Sequence, residues 1–326
     1  MKYTKLGSTG LDISAIAAGA MTFGIPGVGY PEWTLDEEAS RPLIKLALDA
    51  GITFFDTSNS YSLGTSEEIL GRALADYADR DRIVIATKVY GRMHDGPNGQ
   101  GLSRKVILTE VDHSLRRLGT DYIDLYQIHR FDSRTPLEET LEALHDVVKA
   151  GKVRYLGASS MYAWQFAKAL FLQQANGWSR FVSMQPHYNL INREEEREML
   201  PLCADQGIGV LPWSPLARGR LTRDWDEQTD RSRRDGFAQH LYSATDVADR
   251  AVADAVGSVA EARGVPRAQI ALAWVSKHPA VGAPIVGFSK PYQLEDAIAS
   301  LDITLTDEEI TLLEAPYVPH PVVGFG

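Results

Sequence analysis

Four side chains suited to acid–base work on an oxygen stand at or just past the ends of short apolar runs. Asp56 ends the run 52–55 and Tyr61 follows five residues on; Lys88 comes just after the run 83–86, and His129 ends the run 122–128. A phenol titrates near ~10, too high for a ready proton donor at neutral pH. A neighbouring ammonium favours its ionised form, and a carboxylate paired with that ammonium keeps it charged and in place. An imidazole can hydrogen-bond a carbonyl oxygen and orient it. Together the four suit polarising a carbonyl and protonating the resulting alkoxide. The set contains no hydride donor, so a reductive reaction requires a cofactor.

The elements that must position these groups are legible from periodicity. Eight apolar runs of strand length, at 16–20, 52–55, 83–86, 122–128, 153–157, 181–184, 208–211 and 283–286, are each followed by a helical segment. Capping signals mark several helix starts: Thr34 with Glu37, Thr65 with Glu68, Thr135 with Pro136 and Glu138, and Asn192 with Glu195. Regular alternation of strand and helix implies a parallel sheet covered by helices. Eight such units predict an α/β fold of the (β/α)8 TIM-barrel type over a single domain, 1–326. Tyr3, Leu6, Leu11 and Ile13 around Gly7 and Gly10 predict an N-terminal β-hairpin. A doubly wound dinucleotide fold is excluded, because Gly27-Val28-Gly29 runs into Tyr-Pro-Glu-Trp rather than into a helix.

Two segments interrupt the repeat. Residues 216–246 form a long charged loop, and an extra helix over 247–263 precedes the seventh repeat helix, all before the eighth strand. A capped helix near 306–313 and a Pro-rich tail close the chain. The net charge of −10 disfavours nucleic acid and anionic membranes as partners. The lone cysteine, Cys203, rules out an intrachain disulfide, and the histidines show no metal-ligand spacing. No secretory h-region or membrane-span run is present, so the expected location is the cytoplasm.

In such a barrel the site is built at the C-terminal ends of the strands. Ser159, Ser160, Gln185, Trp213 and Ser214 join the four acid–base groups there, with His187 placed at the pocket rim. At this point the whole chain resembles the aldo-keto reductase family, and most of all its aryl-alcohol-dehydrogenase-like bacterial and fungal branch. The resemblance is carried by FFDTSNSYSLGTSEEILGRAL, VIATKV, LRRLGTDYIDLYQIHR, GKVRYLGASS, FVSMQPHYNL and GVLPWSPLARGRLT, in that order. It implies NADPH-dependent reduction of a small carbonyl substrate, with Tyr61 as proton donor, Asp56 and Lys88 as its tuning pair and His129 as carbonyl orienter. It further implies that Ser159, Ser160 and Gln185 hold the nicotinamide carboxamide and that Trp213 stacks on the ring. By the same resemblance Gly19, Ala20 and Met21 line that end of the cofactor. Ser214, Leu216, Arg218, Gly219 and Arg220 run along the pyrophosphate, and Gly287, Ser289, Lys290, Gln293 and Asp296 take the adenosine end. The family often places an Arg where this chain has Gln293, and an acid followed by Asn where it has Asp296-Ala297. Lys290 and Ser289 are then left for a 2′-phosphate, which favours NADP(H) over NAD(H).

Two other readings fit a barrel with these residues. One is a lyase or isomerase with Lys88 forming a Schiff base, which needs a desolvated, uncharged lysine. The other is a cofactor-sensing subunit without turnover. The sequence marks no partner surface and does not give the oligomeric state.

Overall fold

The computed structural model describes residues 1–31, 33–242 and 245–323, with the side chains of 230 and 231 outside that description. Parts of the loop and tail segments named above, 243–244 and 324–326, therefore lie outside the described residues. The chain opens with an antiparallel hairpin of β1 (Tyr3–Lys5) and β2 (Asp12–Ser14), in the register Tyr3 opposite Ser14.

Eight parallel strands follow: β3 (Ala17–Gly19), β4 (Phe54–Asp56), β5 (Val84–Val89), β6 (Ile123–Ile128), β7 (Val153–Ser159), β8 (Phe181–Gln185), β9 (Gly209–Val210) and β10 (Ile285–Val286). They pair in chain order from β3 to β9, with β10 returning beside β3. The seam between β9 and β10 is closed by loop backbone. Gly282 N donates to Val210 O and Ile285 N to Pro212 O, each at 2.9 Å. The result is the (β/α)8 barrel that the alternation predicts.

The flanking helices are α1 (Glu37–Asp49), α2 (Thr65–Tyr77), α3 (Arg104–Leu118), α4 (Leu137–Lys149), α5 (Ala163–Ala175) and α6 (Met199–Gln206). Within the segment expected as a loop lie two short helices, α7 (Asp230–Arg234) and α8 (Gly236–Tyr242). Then come α9 (Asp246–Arg263), α10 (Arg267–Ser276), α11 (Pro291–Ala299) and α12 (Asp307–Glu314). Among the described residues no helix is long and apolar enough to cross a membrane.

Strand alternation explains why the barrel carries apolar residues below and polar ones above. Side chains two residues apart on a strand share a face. Phe54, Val84, Ala86, Leu125 and Leu211 form an inner cluster with Leu6 and Ile13 of the hairpin, which plugs the lower end. Two residues further along the same stripe come Asp56, Lys88 and Gln127. The opposite stripe, including Phe55, Ile85, Val89 and Tyr126, packs outward into the larger core under the helices.

Several helix starts differ from the predicted caps. Asp36, not Thr34, caps α1, its side chain accepting from Ala39 N at 3.0 Å. At α2 the cap position is Gly64 with φ 94°, a left-handed turn that glycine makes freely, and Thr65 is already helical. Thr135 spends its hydroxyl on Asp132 (3.0 Å), leaving Pro136 at the α4 cap. Asn192 pairs with Asn189 in a short bridge, and α6 begins only at Met199. The capping box at Thr306 and Glu309 of α12 forms as expected.

Candidate active site

Asp56 at the end of β4 and Lys88 near the end of β5 meet inside the barrel at 2.5 Å, both almost wholly buried. Burying two charges costs several kcal/mol per ion unless hydrogen bonds replace the lost water. Here the replacement is complete for the ammonium. Its three N–H donors go to Asp56 Oδ1 (2.5 Å), the Thr57 carbonyl (2.8 Å) and Tyr61 Oη (3.4 Å). Burial works against the Lys88 charge, but Asp56 and Tyr61 outweigh it and hold the lysine above its ordinary value.

The other carboxylate oxygen of Asp56 accepts from Gln127 Nε2 (2.9 Å) and Gln185 Nε2 (3.0 Å), and Gln185 Nε2 also reaches Gln127 Oε1 (3.1 Å). Room for this amide pair depends on Gly157 of β7, where a Cβ would lie 2.9 Å from Gln127 Cγ and 2.4 Å from Ser183 Oγ. Gln127 is therefore part of the constellation, although sequence reading passes over it as one polar residue within the run DLYQIH. Its signal is positional: it lies between Leu125 and His129 on the inward stripe.

His129 lies just past β6, with its ring edge-on to Tyr61 at a centroid distance of 5.7 Å. Its Nδ1 is 3.1 Å from Ser58 Oγ in the β4–α2 loop. Burial, helped by the charges of Arg130 and Lys88, pushes the imidazole well below its ordinary value, so it is neutral at physiological pH. The same loop is anchored from behind. Asn59 Nδ2 donates to Glu110 (2.9 Å), and Glu67 accepts from Thr87 (2.5 Å) and Arg117 (2.5 Å).

A cleft of about 1720 Å³ extends from these groups across the barrel mouth. That exceeds the roughly 300–1,000 Å³ of a drug-sized ligand pocket and suits a long ligand. Of the residues placed along a cofactor from sequence, its wall includes Gly19, Met21, Asp56, Ser159, Gln185, Trp213, Ser214, Leu216, Arg218, Gly219, Gly287, Ser289, Lys290, Gln293 and Asp296.

Three of the expected residues are not on that wall. Ala20 is buried, its carbonyl accepting from Ser66. Ser160 lies behind Ser159 and accepts from Trp213 Nε1 at 3.0 Å. Arg220 turns away to Asp246 (2.8 Å), over the rings of Trp225 and Tyr242. His187 does not reach the rim. It stacks behind Trp213 at 4.2 Å and bonds Tyr242 Oη at 2.7 Å, where burial lowers its pKa to about 3.

Several wall residues are already engaged by the protein itself. Arg218 is clamped by Asp235 (2.7 and 2.9 Å) and also donates to Tyr30 Oη (3.0 Å). Gln293 Oε1 caps α11 by accepting from the backbone N–H of Ser289 (2.8 Å) and Lys290 (3.1 Å). Conversely, Arg130, Arg223 and the α9–α10 residues Ser258 and Arg267 line the cleft and were not expected from sequence.

The residues present fit a nicotinamide cofactor. Both N–H groups of the Gln185 amide are used inside the barrel. Among the described residues its Oε1 accepts no hydrogen bond, and the side chain faces the cleft. Ser160, just past β7, and Ser214, in the loop after β9, hold left-handed backbone, φ 48° and 51°. Such strained non-glycine residues collect at ligand sites.

The comparisons agree with this geometry. The aldo/keto reductase family profile matches residues 15–317. The chain is similar to versiconal hemiacetal acetate reductase of Aspergillus parasiticus, at 45% identity over 99% of this chain and 98% of the relative. An aldo-keto reductase of Alternaria alternata is 41% identical over 99% and 93%. An aryl-alcohol-dehydrogenase-like protein of Schizosaccharomyces pombe is 42% identical over 99% and 97%. The chain belongs to the aldo/keto reductase family and is an oxidoreductase acting on carbonyl groups.

Proposed function

We propose that this enzyme reduces aldehydes or ketones to alcohols with NADP(H), Tyr61 giving the proton to the carbonyl oxygen. The observation that carries the reading is the direction of hydrogen bonding at Tyr61. The phenol oxygen accepts from Lys88, so its own O–H is left to donate into the cleft. As the O–H proton leaves, the adjacent ammonium stabilises the phenolate, and Asp56 prevents Lys88 from drifting. In this reading the Ser58 hydroxyl, 3.1 Å from His129 Nδ1, donates to that nitrogen, which puts the ring proton on Nε2 as a second donor for the same substrate oxygen. The bound nicotinamide supplies the hydride.

Gln185 Oε1, Ser159 and Trp213 would hold the nicotinamide end, and Lys290 at the start of α11 would take a 2′-phosphate. Tyr30, Tyr90, Trp213 and Phe237 give the substrate mouth an aromatic wall, which suits the aromatic chemistry for which one relative is named. A Schiff base at Lys88 is disfavoured, because every N–H of the ammonium is engaged and the charged form is stabilised.

The test is NADPH consumption over a panel of aldehydes, ketones and sugar phosphates, with NADH in parallel, for the wild type and Tyr61→Phe. The variant should bind NADPH as before and lose about 10²–10⁴ in kcat. A Tyr61→Phe enzyme with undiminished kcat on several aldehydes would remove Tyr61 from the proton-donor role.

A further inference from the structure

Arg130, the residue after His129, carries its guanidinium to the catalytic end of the cleft. It stands 5.9 Å from the centre of the Trp213 ring and gives one N–H to the His129 carbonyl (2.7 Å). Among the described residues no carboxylate lies within ion-pair distance of it. The contrast with Arg218 on the same wall is direct, since Arg218 is clamped by both oxygens of Asp235.

A guanidinium has five N–H donors in a planar fork and stays charged at any physiological pH. Holding it at a partly desolvated site without an anion is costly, whereas a carboxylate would meet the fork with two parallel bonds. Burial lowers the Arg130 pKa, with only the nearby phenols of Tyr61 and Tyr90 acting against it and no carboxylate. Tyr90 and Trp213 flank the position as apolar wall.

We propose that Arg130 is a specificity-determining residue that receives a carboxylate on the carbonyl substrate, so that the preferred substrates are aromatic oxo-acids. This rests on the carbonyl-reduction reading for the reaction and adds the substrate class. The experiment compares 3- and 4-carboxybenzaldehyde with their methyl esters, which keep the size and remove the charge. The wild type should favour at least one acid over its ester in kcat/KM, chiefly through KM. In Arg130→Gln the acid-to-ester ratio should fall by about 10- to 100-fold, and Arg130→Lys should restore part of it.

A second readout needs no turnover: quenching of tryptophan fluorescence by benzoate against methyl benzoate, with NADP+ present. Benzoate affinity that depends on Arg130, in an enzyme that reduces no aldehyde, would uphold the anion site and defeat the reaction reading. Acid and ester rates falling together in Arg130→Gln, with benzoate binding unchanged, would overturn the proposal and leave Arg130 as a support for the His129 backbone.

Discussion

The floor of the cleft and its rim solve the same problem, a buried positive charge, in different ways. On the floor, the counter-charge of Lys88 comes from a strand: Asp56 on the neighbouring strand, its far oxygen braced by Gln127 and Gln185, with Thr57 and Tyr61 just beyond taking the other two N–H groups. On the rim, Arg218 is enclosed by loop residues. Asp235 lies 17 positions away in the insertion and Tyr30 comes from the loop after β3. The floor groups are fixed by parallel register, in which Asp56 pairs Ala86 and Lys88 pairs Gln127. The rim groups are fixed only by contacts the loops make with each other. A reaction centre needs placement within a fraction of an ångström, and the sheet provides it. A mouth that must admit a long ligand can be tied by bonds that release locally.

The largest effect expected from breaking this contrast is at Lys88. Lys88→Met strands the Asp56 carboxylate in a site built for an ion pair, at a cost of about 3–5 kcal/mol in unfolding free energy. Activity should fall beyond detection. Lys88→Met combined with Asp56→Leu should recover much of the stability and none of the turnover, as followed by urea unfolding and NADPH oxidation. A double variant no more stable than Lys88→Met would show that the floor is held by packing rather than by charge.

At the rim the matching change is Asp235→Asn. It leaves Arg218 its Tyr30 contact but removes the counter-charge, worth about 1.5–3 kcal/mol for hydrogen bonds to charged groups. Because the partners are loop-borne, the loss should appear as local opening: faster amide exchange across 216–242 and altered KM for the cofactor, with global unfolding nearly unchanged. Global destabilisation equal to that of Lys88→Met would erase the distinction between the two regions.

The same contrast decides what was legible in the sequence. Asp56, Lys88 and His129 could be read because each ends or closely follows an apolar run, and eight runs in alternation with helices leave one plausible closure. Gln127 could not, since a polar residue inside a strand shows its direction only once register is known. The engagement of Arg218 by Asp235 was equally hidden, because loop pairing follows no period. Helix caps failed for a related reason. Thr34, Thr65 and Thr135 match the capping pattern, but a neighbour with better geometry or a competing hydroxyl contact took the position each time. Local chemistry proposes a cap, and the loop entering the helix decides it.

The smallest effect separates the two regions by pH. His129 above the floor and His187 behind Trp213 are both pushed down chiefly by burial, His187 to about 3, with Arg130 adding to each. Each is neutral when folded, whereas the unfolded chain takes up a proton near pH ~6.5. The unfolded state therefore binds more protons below that pH, and stability falls as pH drops. Between pH 7 and 6 His187 should contribute a loss of about 0.7 kcal/mol, and His129 a loss in the same direction. His320, raised by Asp249 against the effect of its own burial, acts in the opposite direction. The measurement is therefore the difference in pH slope between wild type and His187→Asn, or wild type and His129→Asn. Both variants should flatten the slope, while only His129→Asn lowers kcat directly. For the wild type the rate should show no imidazole limb near pH ~6.5, because burial holds the His129 ring well below that value. A kinetic limb near pH ~6.5 that disappears in His129→Asn would place His129 in open water and detach it from the enclosed arrangement of the floor.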